Sequence, residues 1–113
     1  MIAIPIKEDD DNSNLSKKFG KAKYFALINN NKIEILKNDR GNGKAVASWL
    51  KSKNVNIVIA SQVKEKSFNA LKNYGISVYF TGSTKIKIQE ALLKYADGDV
   101  PVLNKLNYLC HAF

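Results

Sequence analysis

The first third of the chain has the hydrophobic periodicity of β-strands. Isoleucine occupies every second position over residues 2–6, which is the period of a strand. A five-residue hydrophobic run follows at residues 24–28, and residues 32–37 (KIEILK) form a second segment rich in hydrophobic residues. Residues 29–31, all asparagine, separate these two runs, and asparagine accepts the left-handed backbone of tight turns. The pattern therefore predicts one strand followed by a β-hairpin.

The rest of the chain switches between helical and strand patterns. Val46, Trp49 and Leu50 have the i, i+3, i+4 spacing of one helical face. Further hydrophobic stripes predict a helix over about residues 64–74 and a third helix that carries Ile88, Leu92 and Tyr95. Between the helices, residues 55–60 and 76–80 are short hydrophobic runs typical of strands buried in a parallel sheet.

The resulting order, β-β-β-α-β-α-β-α, restricts the fold. The first three strands are close enough in sequence to form an antiparallel meander, whereas the last two each follow a helix and must join by right-handed crossovers. We therefore predict an α/β fold with a mixed five-stranded sheet and helices on its faces, which is a ribonuclease-H-like topology. Pro5 lacks an N–H group and is expected near the end of its strand, where pairing is already failing.

The length of 113 residues fits a single domain. We expect this domain to cover residues 1–99, with residues 100–113 forming a C-terminal tail that is packed or partly mobile. One cysteine cannot form an intrachain disulfide, and no hydrophobic run reaches the ~20 residues of a membrane span. The first residues resemble a strand and not a signal peptide. Together these features predict a cytoplasmic protein that does not enter a membrane.

The net charge of +8 raises the question of nucleic-acid binding. All but one of the 18 basic residues are lysines, whereas recognition of phosphates and bases favours arginine. The lysines are also spread along the whole chain, as expected for a solvated basic surface. Nucleic-acid binding is thus an alternative that the charge permits and the composition does not favour.

Candidate chemistry is sparse along the sequence. The first strand contains no carboxylate, which argues against the metal-dependent nucleases that share this topology. Cys110 and His111 are adjacent soft ligands that could hold a metal, although two ligands do not close a site and an incidental pair in a frayed tail is the alternative. Gly41, Asn42 and Gly43 precede a helix whose N-terminus could receive an anion, although loop flexibility alone also explains the glycines.

Several collinear segments resemble the dinitrogenase iron–molybdenum cofactor biosynthesis family, which includes NifX-like proteins and the C-terminal part of NifB-like proteins. The matching segments are residues 1–6 (MIAIPI), 16–25 (SKKFGKAKYF), 46–50 (VASWL), 55–60 (VNIVIA), 68–71 (FNAL), 75–79 (GISVY) and 90–92 (EAL), followed by Gly98. The resemblance covers residues 1 to about 99. It implies a ribonuclease-H-like fold, in agreement with the order of elements.

The resemblance also implies a function. Family membership implies a non-catalytic protein that binds or carries an iron–sulfur or iron–molybdenum cluster, with cluster donor or acceptor proteins as partners. The family motif Ser-x-His-Phe-Gly corresponds to residues 16–20, so the cofactor-binding candidates are Lys18, Phe19 and Gly20. Cys110 and His111 are the candidate metal ligands.

The chain departs from the family pattern at three places. Lys18 replaces the family histidine, and an ammonium group pairs with an anion but does not ligate a metal. Residues 61–64 (SQVK) replace a Gly-Asn-x-Gly segment, and residues 41–44 (GNGK) replace a loop rich in histidine and glycine. Two hypotheses follow: a carrier of an anionic metallocluster, or a basic interaction or nucleic-acid-binding module on the same fold.

Overall fold

The computed structural model describes residues 1–82 and 85–98, together with the backbone of a two-residue strand at 102–103. The strands are β1 (Ile2–Ile6), β2 (Tyr24–Asn29), β3 (Lys32–Lys37), β4 (Ile57–Ala60), β5 (Ser77–Phe80) and β6 (Val102–Leu103). The helices are α1 (Gly43–Ser52), α2 (Glu65–Asn73) and α3 (Ile88–Ala96).

All the strands form one mixed sheet in the order β3-β2-β1-β4-β5-β6. Strands β1, β2 and β3 pair antiparallel, while β4 is parallel to both β1 and β5. This arrangement confirms the predicted α/β, ribonuclease-H-like architecture. The short strand β6 extends the sheet by antiparallel pairing with β5, which the sequence pattern did not predict.

The helices cover both faces of the sheet, as predicted. Helices α1 and α2 pack over one face and bury Val46, Leu50, Phe68 and Leu71 against it. Helix α3 packs on the opposite face through Ile88 and Ala91. The sheet is therefore the middle layer of three, which is the usual way in which an α/β domain buries both faces of a mixed sheet.

Local backbone geometry agrees with the predicted hairpin and, on one side of β1, with the expectation for Pro5. Asn30 and Asn31 have φ values of 50° and 66°, the left-handed conformation that a two-residue hairpin turn requires at both positions. Strand β1 pairs with β4 only at Ile2 and Ala3, so Pro5 lies beyond the end of that ladder. Its missing N–H group therefore costs no hydrogen bond to β4. On the other side the ladder with β2 continues past Pro5 to Ile6, so the expected end of pairing is found only on the β4 side.

The predicted boundary between a domain at 1–99 and a tail at 100–113 stays a prediction. Cys110 and His111 lie outside the described residues, as does most of the predicted tail. Across the residues that are described, no helix is long and apolar enough to cross a membrane.

Candidate functional site: a basic cleft at two helix N-termini

A cleft of about 440 Å³ lies beside the start of α1 and the start of α2. Three segments line it: residues 17–21 from the loop after β1, residues 41–43 before and at the start of α1, and Gln62, Lys64 and Ser67 around the start of α2. Its lining therefore comes from three separate parts of the sequence.

The loop that carries Lys18 is fixed to the sheet by hydrogen bonds through Ser16. The Ser16 amide donates to the Pro5 carbonyl over 2.9 Å, and the buried Ser61 hydroxyl donates to the Ser16 carbonyl over 2.9 Å. The Ser16 hydroxyl in turn accepts from the Lys18 amide over 3.1 Å. The backbone at Lys18 is therefore tied to the ends of β1 and β4.

Asn38 holds the other end of the same loop. Its side-chain amide donates to the carbonyls of Gly20 and Ala22 over 3.1 and 2.8 Å. Its side-chain oxygen accepts from the Arg40 amide over 2.9 Å. One asparagine therefore connects the loop of residues 17–21 (the basic loop) to the segment that leads into α1.

Phe19 anchors the loop in the hydrophobic core. The residue is 4% exposed, and its ring meets Phe25 edge-to-face with the ring centroids 5.5 Å apart. Phe25 makes a second edge-to-face contact with Trp49 of α1 at 5.9 Å, and the Arg40 guanidinium lies 4.3 Å from the Trp49 ring centroid. Aromatic packing of this kind positions the neighbouring Lys18 without exposing the Phe19 ring.

Two glycines let the three segments approach each other closely. A Cβ atom on Gly20 would lie 2.5 Å from the amide nitrogen of Gly43. A Cβ atom on Gly43 would overlap the Ser67 hydroxyl oxygen. Neither position has room for a side chain. Glycine at both positions therefore allows the basic loop, the start of α1 and the start of α2 to be in contact.

The cleft is strongly positive. Four lysines line it, namely Lys17, Lys18, Lys21 and Lys64, whereas no acidic residue of the described chain does so. All four are exposed, and none forms an ion pair with another described residue. Like charges held around one concave surface repel each other and are relieved by a bound anion.

The helix N-termini add partial positive charge to that of the lysines. In α1, the Asn42 side chain caps the helix by accepting from the Ala45 amide over 2.9 Å. In α2, the N-cap residue is Lys64 and no side chain caps the helix. The first amides of α2 are consequently available to a ligand.

The structure places the predicted cofactor-binding residues in this one cleft but gives them different environments. Lys18 is exposed, Phe19 is a core residue, and Gly20 permits backbone contact. Lys64 was visible in the sequence only as part of the segment 61–64 that departs from the family pattern, and Ser67 had no signal, because both become neighbours of the loop only in the folded chain. The glycine-containing segment before α1 was the one local signal for an anion at a helix N-terminus.

Metal ligands are not part of the cleft as described. No group of three or more His, Cys, Asp or Glu residues in the described ranges is placed to hold a metal ion. The cleft instead offers ammonium, hydroxyl and amide groups. These groups bind an anion through charge and hydrogen bonds, and they are not the usual ligands of iron or zinc. Cys110 and His111 lie outside the described ranges.

Comparison with known proteins places the chain in a family. An uncharacterized protein of Methanocaldococcus jannaschii is 34% identical, with the match covering 75% of this chain and 77% of the relative. A NifB-like protein from Thermotoga has 31% identity and a TM-score of 0.75, covering 88% of this chain and 89% of its own.

The fold recurs at lower identity as well. The apo form of the orange protein from Desulfovibrio gigas has a TM-score of 0.83 at 23% identity, covering 90% of this chain and 91% of its own. The sequence model of the dinitrogenase iron-molybdenum cofactor family matches residues 1–98. The chain belongs to the dinitrogenase iron-molybdenum cofactor family.

Proposed function

We propose that this protein binds and carries an anionic metal–sulfur cluster, of the iron–sulfur or iron–molybdenum type, in the basic cleft. In this proposal it performs no catalysis and exchanges the cluster with donor and acceptor proteins. The observation that carries the proposal is the meeting of four lysines with the start of α1 and the uncapped start of α2. Family membership supports the choice of a metal–sulfur cluster over other anions.

The character of the cleft favours a preassembled cluster over stepwise assembly. Lys18 stands where the family motif has histidine, so the loop offers a cation in place of a neutral ligand. An ammonium group can neutralise the negative charge of a thiolate- or sulfide-rich cluster but cannot coordinate iron. Binding in this cleft would therefore depend on charge and hydrogen bonds to the outside of the cluster.

Cys110 and His111 enter the proposal as additional soft ligands. A thiolate and an imidazole are a ligand pair suited to iron–sulfur species. Substitution of Cys110 by serine and His111 by alanine would test them together. Retention of the full iron content in this double variant would remove the tail from the site and leave the cleft unaffected.

The direct experiment is metal and sulfide analysis with an absorption spectrum, on protein purified without oxygen. We expect stoichiometric iron and sulfide-to-metal absorption bands, either as purified or after addition of a cluster. Lys18→Gln should lower the retained metal, whereas Lys32→Gln removes an equal charge from strand β3, away from the cleft, and should not. Colourless, metal-free protein that also refuses a supplied cluster would contradict the proposal.

The alternative function is a basic interaction or nucleic-acid-binding module on the same fold. Its support is the net charge of +8. Single-stranded nucleic acids are commonly bound by stacking on exposed aromatic rings, but Phe19 and Trp49 are only 4% and 8% exposed. Binding that weakens steeply with salt would support the alternative, whereas flat or absent binding at low salt would exclude it.

A further inference from the structure

The start of α2 has a largely buried hydroxyl group without a hydrogen-bond partner among the described residues. Ser67 lies in the first turn of α2, lines the cleft and is 8% exposed. Its hydroxyl forms no hydrogen bond with any described residue. A largely buried hydroxyl normally has a hydrogen-bond partner, either in the protein or in a molecule that reaches it from outside.

The position of this hydroxyl indicates where its partner would lie. No fully buried polar side-chain atom of the described chain lacks a hydrogen bond, so the Ser67 oxygen must keep an opening to solvent. Since Ser67 lines the cleft, that opening faces the cleft. The oxygen also lies beside Gly43, the first residue of α1, so it is placed where the two helix starts meet.

The backbone amides around Ser67 point to the charge of the partner. No side chain caps α2, and the amides of Glu65, Lys66 and Ser67 donate no hydrogen bond within the described structure. Amide donors at a helix N-terminus, a hydroxyl and a lysine are the groups that hold tetrahedral anions in proteins. Lys64 supplies the lysine from the N-cap position.

We propose that the first turn of α2, with the Ser67 hydroxyl and the Lys64 ammonium group, is a binding subsite for a tetrahedral oxoanion. The ligand class is a doubly charged anion of the phosphate or molybdate type. The subsite goes beyond the proposed carrier function, because it needs neither a cluster nor any metal ligand. It would accept the oxoanion alone or as a group of a larger ligand.

Helix α3 is an internal control for this proposal. It also has nine residues, begins after a lysine and has no side-chain cap. Its first turn, however, contains Ile88, Gln89 and Glu90 and offers no hydroxyl, and none of its residues lines the cleft. A nonspecific effect of an uncapped helix N-terminus would therefore act on α2 and α3 alike.

The test is a titration of the isotope-labelled protein with inorganic phosphate and, separately, with molybdate, followed by the backbone amide signals in NMR spectra. We expect saturable shifts at residues 65–67 and little change at residues 88–90. Ser67→Ala should weaken the affinity about tenfold, since a hydrogen bond to a charged group is lost. The control Ser48→Ala removes an exposed hydroxyl from α1 and should leave the affinity unchanged.

A second variant keeps the test valid if Ser67→Ala disturbs packing. Lys64→Gln changes an exposed residue and should weaken binding by about two- to fivefold, the range of a surface charge interaction, whereas an unchanged affinity would contradict the role of Lys64 in the subsite. Tighter binding of molybdate than of phosphate would assign the subsite to an oxometalate, and the reverse order would assign it to a phosphate group. Equal shifts at α2 and α3, or a Ser67→Ala affinity within twofold of wild type, would overturn the proposal.

This titration and the cluster experiment can fail separately. Loss of oxoanion binding in Ser67→Ala, in a protein that never takes up iron, would retain the subsite and reject the carrier function. Iron uptake without any shift at residues 65–67 on addition of phosphate or molybdate would retain the carrier function and reject the subsite.

Discussion

Substitution of Gly20 by alanine tests the close contact that forms the cleft. The added Cβ atom would lie 2.5 Å from the Gly43 amide nitrogen and 3.0 Å from the Asn42 carbonyl carbon. Both are backbone atoms, so no side-chain rotation can relieve the clash. The basic loop would have to move away from the start of α1.

The size of the effect follows from these distances. A separation of 2.5 Å is about 0.9 Å below the 3.4 Å at which ordinary Cβ contacts begin. Forced insertion of a methyl group into a packed site costs about 1–3 kcal/mol. Since Gly20 does not have a positive φ angle, backbone strain adds nothing to this cost. Taking about 2 kcal/mol, and about 4 °C per kcal/mol for a chain of this size, the Tm should fall by about 8 °C.

The assay is thermal and urea unfolding of Gly20→Ala beside the matched variant Gly41→Ala. A Cβ atom on Gly41 would meet no atom within 4 Å, and Gly41 also lacks a positive φ angle. Gly41→Ala should therefore be neutral, or more stable by about 0.4–1 kcal/mol through a less flexible unfolded chain. Equal stability of the two variants would refute the close approach of the loop to α1.

Three further predictions concern stability and are checked by urea unfolding. Asn38→Ala removes two hydrogen bonds to loop carbonyls and should cost about 1–3 kcal/mol; a cost below 0.5 kcal/mol, the size of an ordinary surface change, would contradict its role. Ser61→Ala leaves the Ser16 carbonyl without its buried donor and should cost about 1–3 kcal/mol, whereas the exposed Ser48→Ala should cost less than 0.5 kcal/mol; similar losses in both would refute this assignment. Burial, and then the neighbouring Tyr79, raise the pKa of Tyr95 above its ordinary 10.0. The folded state therefore keeps this proton longer than the unfolded chain, so this contribution to stability is complete below pH ~10 and is lost as the pH rises through the folded pKa. In Tyr95→Phe the free energy of unfolding should fall less steeply as the pH rises above about 10. The same pH dependence in the variant and the wild type would argue against a raised Tyr95 pKa.

The elements that sequence could predict are those with a local cause. The Asn30–Asn31 turn, the α1 stripe and the alternation in β1 each depend on residues within a few positions of one another. The predicted strand at 55–60 begins only at Ile57, since the Val55 amide donates to the Leu50 carbonyl and so belongs to the end of α1. Hydrophobic periodicity does not show whether the Val55 amide bonds to the end of α1 or to a neighbouring strand.

The cleft was only partly predictable for a related reason. Lys18, Phe19 and Gly20 were identified through a family motif, whereas Lys64 and Ser67 lie more than 40 positions further along the chain. Lysines are so evenly spread in this sequence that those of the cleft cannot be distinguished from solvated ones. The glycines at 20 and 43 are visible in the sequence, but their contact becomes evident only when the packing is known.

The most direct test of the central claim is the affinity of the protein for a supplied anionic metal–sulfur cluster, measured without oxygen at two salt concentrations. The wild type is compared with a variant in which Lys18, Lys21 and Lys64 are replaced by glutamine. The variant should bind the cluster at least tenfold more weakly, which is about 1.4 kcal/mol, and its affinity should depend less on salt. Equal affinity and equal salt dependence in the two proteins would contradict the assignment of cluster binding to the basic cleft.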